Sequence, residues 1–159
     1  MDRLLEWLDE LHARVRRIRA LTYFTWFVRV LLALGFLPSG YRKIVDDPFT
    51  REESLGEIHT MFTALHQDFG ALYLFIGLCQ VGAALLLLVP RTAALGAAVY
   101  LPIITGIVVI TVSLDFGLGT PLITSLMLLG AVYLLCWDWH RVRPVLGPPR
   151  LPDARAAVR

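Results

Sequence analysis

The sequence predicts an all-α membrane protein: a four-transmembrane-helix bundle with an N-terminal amphipathic surface helix and a short extracytoplasmic helix in the first loop. Three observations carry that prediction. Four apolar stretches, 21–41, 69–89, 92–114 and 119–137, each come close to the about 20 residues that a helix needs to cross a hydrocarbon core about 30 Å thick. With 57% hydrophobic and 18% charged residues and a mean hydropathy of +0.64, the chain is too apolar for an ordinary soluble domain. Its basic residues also gather in alternate connecting segments, the pattern by which membrane proteins fix their threading.

Residues 1–20 form the first element. Leu4, Leu8, Leu11, Val15 and Ile18 recur in steps of four and three, with charges on the opposite face. This spacing predicts a helix lying on the membrane, with Arg14, Arg16, Arg17 and Arg19 toward anionic headgroups. It also fits a coiled-coil seam between subunits, although barely two heptads would have to hold it. Because a charged stretch precedes a run long enough to stay in the bilayer, no secretory signal peptide is expected. The membrane domain occupies 21–140, and its first span, 21–41, encloses Arg29.

In the first loop, Thr50-Arg-Glu-Glu53 after Pro48 reads as a capping box. Leu55, Ile58, Phe62, Leu65 and Phe69 then follow at helical spacing and predict the short helix at the outer mouth. The spans 69–89 and 92–114 are separated only by the tight basic turn at Pro90 and Arg91. The last span, 119–137, ends among Trp137 and Trp139, which with Trp7, Tyr23, Trp26, Tyr41 and Tyr73 suit an interfacial aromatic belt. Residues 141–159, rich in Pro, Arg and Ala, are expected to be a flexible cytoplasmic tail. Gly77, Gly82, Gly96 and Gly130 offer close approach between helices where lipid gives no hydrophobic driving force.

Charge sets the orientation. Both tails and the second loop are basic; the third loop, 115–118, has no positive charge; the first loop sets Arg42, Lys43 and Arg51 against six acids. The positive-inside rule therefore places both termini in the cytoplasm of a bacterial inner membrane, with the first and third loops outside. Arginines that flank spans in this way are not a nucleic-acid face, so no nucleic-acid partner is expected. Cys79 and Cys136 differ in depth and are read as small core residues, not a disulfide. His59 and His66 lie two turns apart, about 10 Å, too far to bind one metal ion together, and no metal or covalently bound cofactor is expected.

The candidate site starts from Arg29. An ionisable side chain inside a span is costly in lipid and marks function by default. Matching residues by depth from the span ends sets Gln80, Tyr100 and Tyr133 near Arg29, so the four could share one polar layer and bind a ligand together. The alternative is that Arg29 snorkels toward the nearer surface. No Asp or Glu lies deep in a span, with Asp115 and Asp138 at span ends, which argues against a proton pump. An arginine without an acid suits a carbonyl or anionic head, such as a quinone or a lipid phosphate. Pro102 loosens the third span beside this level.

The run Phe27-Val-Arg-Val-Leu-Leu-Ala-Leu-Gly-Phe-Leu-Pro-Ser-Gly-Tyr-Arg-Lys43 resembles the first span of the DoxX-like membrane proteins, in which an arginine opens the helix and Gly-x-x-Lys closes it. Here that closing motif is Gly40 and Lys43, the chain's one lysine. The stretch from Ile76 to Gly96, with its turn at Arg91, is similar to the family's second span, and the likeness covers roughly 22–140. The resemblance implies a four-helix integral membrane protein, some relatives being linked with thiosulfate:quinone oxidoreductase or other redox assemblies. Where many relatives carry Glu, this chain has Gln80, which can hydrogen-bond a guanidinium but cannot neutralise it.

Two functions follow as expectations. One is a small subunit or binding protein of a membrane redox assembly, holding a lipophilic ligand such as a quinone or lipid near Arg29 and Gln80. The other is a non-catalytic assembly or scaffold protein that recruits another membrane protein. Independent catalysis is disfavoured, since paired intramembrane histidines, a thiol pair and a carboxylate dyad are all missing from the sequence. A cavity lined by Arg29 and Gln80 would favour the first; a closed core would favour the second.

Overall fold

In a computed structural model, residues 19–48, 56–114 and 116–139 are described. They form five α-helices and no strand: α1 (Arg19–Ile44), α2 (Glu57–Gln67), α3 (Gly70–Leu88), α4 (Ala93–Ser113) and α5 (Gly119–Trp137). All but α2 are long and apolar enough to cross a membrane. The surface helix over 1–18, the capping box at 50–53 and the tail from 140 lie outside the described residues. Arg19 and Ala20, assigned by sequence to the surface helix, already belong to α1.

Helix α1 packs chiefly along α3, α3 along α4 and α4 along α5, while α5 meets α1 over a shorter stretch. The core between them is small and dense. Leu32, Ala33, Phe36, Ala83, Ala84, Leu87, Ala97, Tyr100, Ile104, Ala131 and Leu134 are all essentially sealed. Alanines and glycines make up half of the buried residues of α3 and of α4, because without a hydrophobic drive the backbones must come close to gain dispersion contacts. Large apolar side chains instead point outward: Phe27, Leu31 and Leu34 on α1, Phe75 and Leu78 on α3, Val109 on α4, Leu122, Leu126 and Leu129 on α5. So much exposed apolar surface suits lipid and not water. Cys136 shares that outward stripe with Leu129 and Val132 and is exposed, not a core residue; Cys79 is half-buried, and both are free thiols.

The bundle has two ends. At the termini end lie the start of α1, the turn Val89–Thr92 and the end of α5. In that turn the Thr92 hydroxyl donates to the carbonyls of Leu86 (3.0 Å) and Val89 (3.3 Å), and Gly96 backs directly onto the backbone of Leu86 and Leu87. At the loop end α2 follows Gly56, whose φ of 55° suits glycine. It lies across the mouth as its spacing predicts, with Ile58 buried and Phe62 edge-on to Phe116 of the α4–α5 loop. His66 Nε2 sits 3.0 Å from Asp46 Oδ1, and the Tyr73 hydroxyl donates to the Asp47 carbonyl at 2.8 Å. These contacts tie α2 and α3 to the chain leaving α1.

Candidate functional site

Four levels along one face of α1 carry polar contacts, at Thr25, Arg29, Leu32–Phe36 and Ser39–Lys43, while Thr111 and Thr124 pair between α4 and α5 with their hydroxyl oxygens 3.2 Å apart. The residues that depth matching assigns to a single layer are distributed over these levels. Tyr133 meets Thr25, with hydroxyl oxygens 2.9 Å apart. Arg29 Nη2 donates to Asp138 Oδ2 at 3.0 Å. Tyr100 stacks on Phe36, centroids 3.6 Å apart, and donates its hydroxyl proton to the Leu32 carbonyl at 3.3 Å. Gln80 accepts from Ser39 at 3.5 Å, and Ser39 Oγ accepts from Lys43 Nζ at 2.8 Å.

The shared layer is therefore corrected to a ladder, and the cause is register. Tyr41 does not end the first helix, which runs on through Arg42 and Lys43 to Ile44. The crossing of α1 and α3 is fixed where Gly40 meets Gly77. Counting eleven residues back along α1 from Gly40 and eleven forward along α3 from Gly77 pairs Arg29 with Leu88, the last residue of α3. Side-chain direction widens the gap. In a helix Cβ leans toward the N-terminus, so Arg29 reaches toward the termini end while Gln80, on an antiparallel helix, reaches toward the loops.

A second correction concerns charge. Arg29 is accompanied by an acid, since Asp138 caps the end of α5 with its side chain 3% exposed beside a guanidinium 7% exposed. It does not snorkel into open solvent. The guanidinium carbon lies 5.7 Å from the Trp26 ring centroid. Around the pair is a cleft of about 150 Å³ lined by Thr22, Thr25, Trp26, Arg29, Pro90, Trp137 and Asp138. Of the four residues expected to bind ligand, Arg29 lines this cleft and Tyr133 buttresses it through Thr25 and Trp137, ring centroids 6.1 Å apart. Tyr100 and Gln80 lie elsewhere. By sequence Trp26 and Trp137 read as belt residues and Asp138 as a span end; the acid between two tryptophans at the close of an otherwise uncharged helix marks Asp138 only as a candidate partner for Arg29.

The residues that carry the DoxX-like resemblance fall at both ends. Gly40 forms the α1–α3 crossing, and Lys43, 6% exposed, holds Ser39 and lies 5.6 Å from the Tyr73 ring centroid. Arg91 is exposed in the α3–α4 turn at the termini end. Tyr100 reads as architecture: Tyr100→Phe should keep the stack on Phe36 and lower stability by about 0.5–1.5 kcal/mol for the lost hydrogen bond, measured by thermal unfolding in detergent.

Comparison with known proteins finds a relative in Bacillus subtilis (strain 168), the uncharacterized protein YwoB. It is 40% identical over 117 residues, spanning 69% of this chain and 73% of the relative. No family model matches the sequence. No solved structure matches it either.

Proposed function

The chain belongs to the family of Bacillus subtilis YwoB, and from that premise we propose that it is a small membrane-embedded binding protein or subunit that holds the polar head of a lipophilic ligand, such as a quinone or a lipid, in the cleft at Arg29. The observation that carries this reading is a buried ion pair opening onto a cleft between two tryptophans. A charged pair at the end of an apolar bundle costs desolvation, and well-packed apolar residues would stabilise the fold as well or better. Its presence therefore calls for a role beyond packing. The guanidinium supplies planar N–H donors suited to carbonyl or phosphate oxygens. The DoxX-like resemblance supports placing the protein beside a redox assembly.

The same reading takes the termini end as cytoplasmic in a bacterial inner membrane. Arg19 and Arg91 lie at that end, Asp46, Asp47 and Asp68 at the other. The closed middle of the bundle, with Ala83, Ala84, Ala97 and Ile104 at 0% exposure, favours the second reading, a scaffold for another membrane protein.

Native mass spectrometry of the purified full chain distinguishes them. The first reading expects a retained small molecule in the wild type, lost in Arg29→Ala and in the charge-free double variant Arg29→Met/Asp138→Leu. A wild type that carries only a protein partner, or a ligand indifferent to both variants, would overturn it.

A further inference from the structure

Helix α2 is held lightly over the loop end of the bundle. Of its 11 residues Ile58 alone is buried, and Phe62 meets Phe116 edge-on. An element with so little buried contact opens at low free-energy cost, so one tie at its end can govern it. We infer that His66 and Asp46 form that tie, a latch fastened by acid that makes α2 a pH-sensitive lid. In the orientation proposed above, it reads the pH outside the cytoplasm.

The backbone singles out Asp46. The Asp47 amide donates to the Arg42 carbonyl at 2.9 Å, and Asp46, at φ 59°, makes the left-handed turn that closes α1. Glycine is the usual residue at that point of a helix end, since a Cβ is crowded there. Among the described residues Asp46 is the one non-glycine residue with a positive φ. Strain accepted at such a place points to a side chain with a task. Here the carboxylate Oδ1 lies 3.0 Å from His66 Nε2, and the Asp46 carbonyl oxygen lies 3.2 Å from the same nitrogen. Behind the imidazole stands Tyr73 of α3, edge-on at 5.1 Å and 1% exposed, which fixes the ring's place.

The sign follows from the atoms. Both Asp46 oxygens are acceptors, so Nε2 carries a hydrogen whatever the charge of the ring. The second proton enters at Nδ1 and breaks neither contact. It sets a positive charge beside a carboxylate at contact distance, where salt screens the attraction least. The other charged groups around this end are Asp47 with its partner Arg42 at 3.5 Å, Asp68 just beyond α2, and Lys43, 5.6 Å from the titratable Tyr73 ring. On α2 itself are Glu57 and His59, the latter 3.4 Å from Thr63 of the same helix. Among the described residues the carboxylate in contact with His66 is that of Asp46. The latch is therefore tightest in acid and loosens as pH rises.

Amide hydrogen exchange on the full-length protein in lipid nanodiscs tests this, at about pH 5 and about pH 8, which bracket the range where histidine titrates. After correction for the intrinsic exchange rate, wild-type α2 amides should be about threefold better protected in acid, the scale of a partly exposed ion pair. His66→Gln keeps a donor toward Asp46 without the titration, and Asp46→Asn keeps a residue that tolerates the left-handed turn without the charge. Both should abolish the pH dependence of α2 while α3 and α4 amides stay protected, a pattern that misfolding cannot produce. His59→Gln, on the same helix, should retain the wild-type profile. Protection of α2 in the wild type that is flat or greater at the higher pH overturns the latch. So does a rise in acid that survives either latch variant, or one that is lost in His59→Gln.

Discussion

Arg29→Ala and Asp138→Ala should each destabilise the bundle by about 3–5 kcal/mol, because each breaks a buried ion pair by removing one member. The pair joins the first membrane helix to the last across the seam where α1 and α5 share the least contact, so the loss falls where the ring of helices is least supported. Replacing both partners with apolar residues of similar size, Arg29→Met with Asp138→Leu, should restore most of that stability, since neither charge of the pair is then left buried. Thermal unfolding of wild type, Arg29→Met, Asp138→Leu and the double variant in one detergent closes the double-mutant cycle. Single variants within about 0.5 kcal/mol of wild type would show that the pair is solvated in practice and contributes like a surface ion pair.

The helices were legible in the sequence because the signal for a membrane span is length and apolarity, which no packing detail can override. The spans read at 69–89, 92–114 and 119–137 differ from α3, α4 and α5 by at most one residue at each end. The first span was harder: α1 runs from Arg19 to Ile44, past both expected limits, because Tyr41-Arg-Lys43 looks like an interfacial end while its Lys43 is folded back against Ser39. A first span ending at Tyr41 and not at Ile44 shifts the depth scale and sets Gln80 beside Arg29, whereas Gln80 faces Ser39.

Which residue answers Arg29 was not legible from depth alone. Asp138 follows the last residue of α5 and reads as a boundary charge, and nothing in a one-dimensional pattern says that a side chain at a helix end turns inward. Only the closing of the bundle, α5 back onto α1, brings the two together. Tyr133 lies one turn from Arg29, on Thr25, because α5 descends toward the same end. Tyr100 has the depth of the middle of the core and its hydroxyl is satisfied there by a backbone carbonyl, so a polar atom at the right level proved to be architecture.

Gly77→Ala, like Gly96→Ala, should be among the most damaging single-methyl changes in the bundle, at about 1–3 kcal/mol, the range for overpacking a well-packed interior. A Cβ at Gly77 would lie 2.7 Å from Lys43 Cβ and 2.9 Å from the Gly40 carbonyl oxygen, and neither atom is the movable tip of a side chain. The methyl therefore forces α1 away from α3 along their most extensive contact. Gly40→Ala meets the Gly77 carbonyl at 2.9 Å and should cost a similar amount. Because both variants open the same gap, the double variant should cost less than their sum. Gly82→Ala is the control: nothing lies within 4 Å of its Cβ, so its midpoint should match or exceed wild type, alanine being the better helix former. If Gly77→Ala unfolds with Gly82→Ala, the crossing is looser than its geometry and the register derived from it, including the level of Arg29, does not hold.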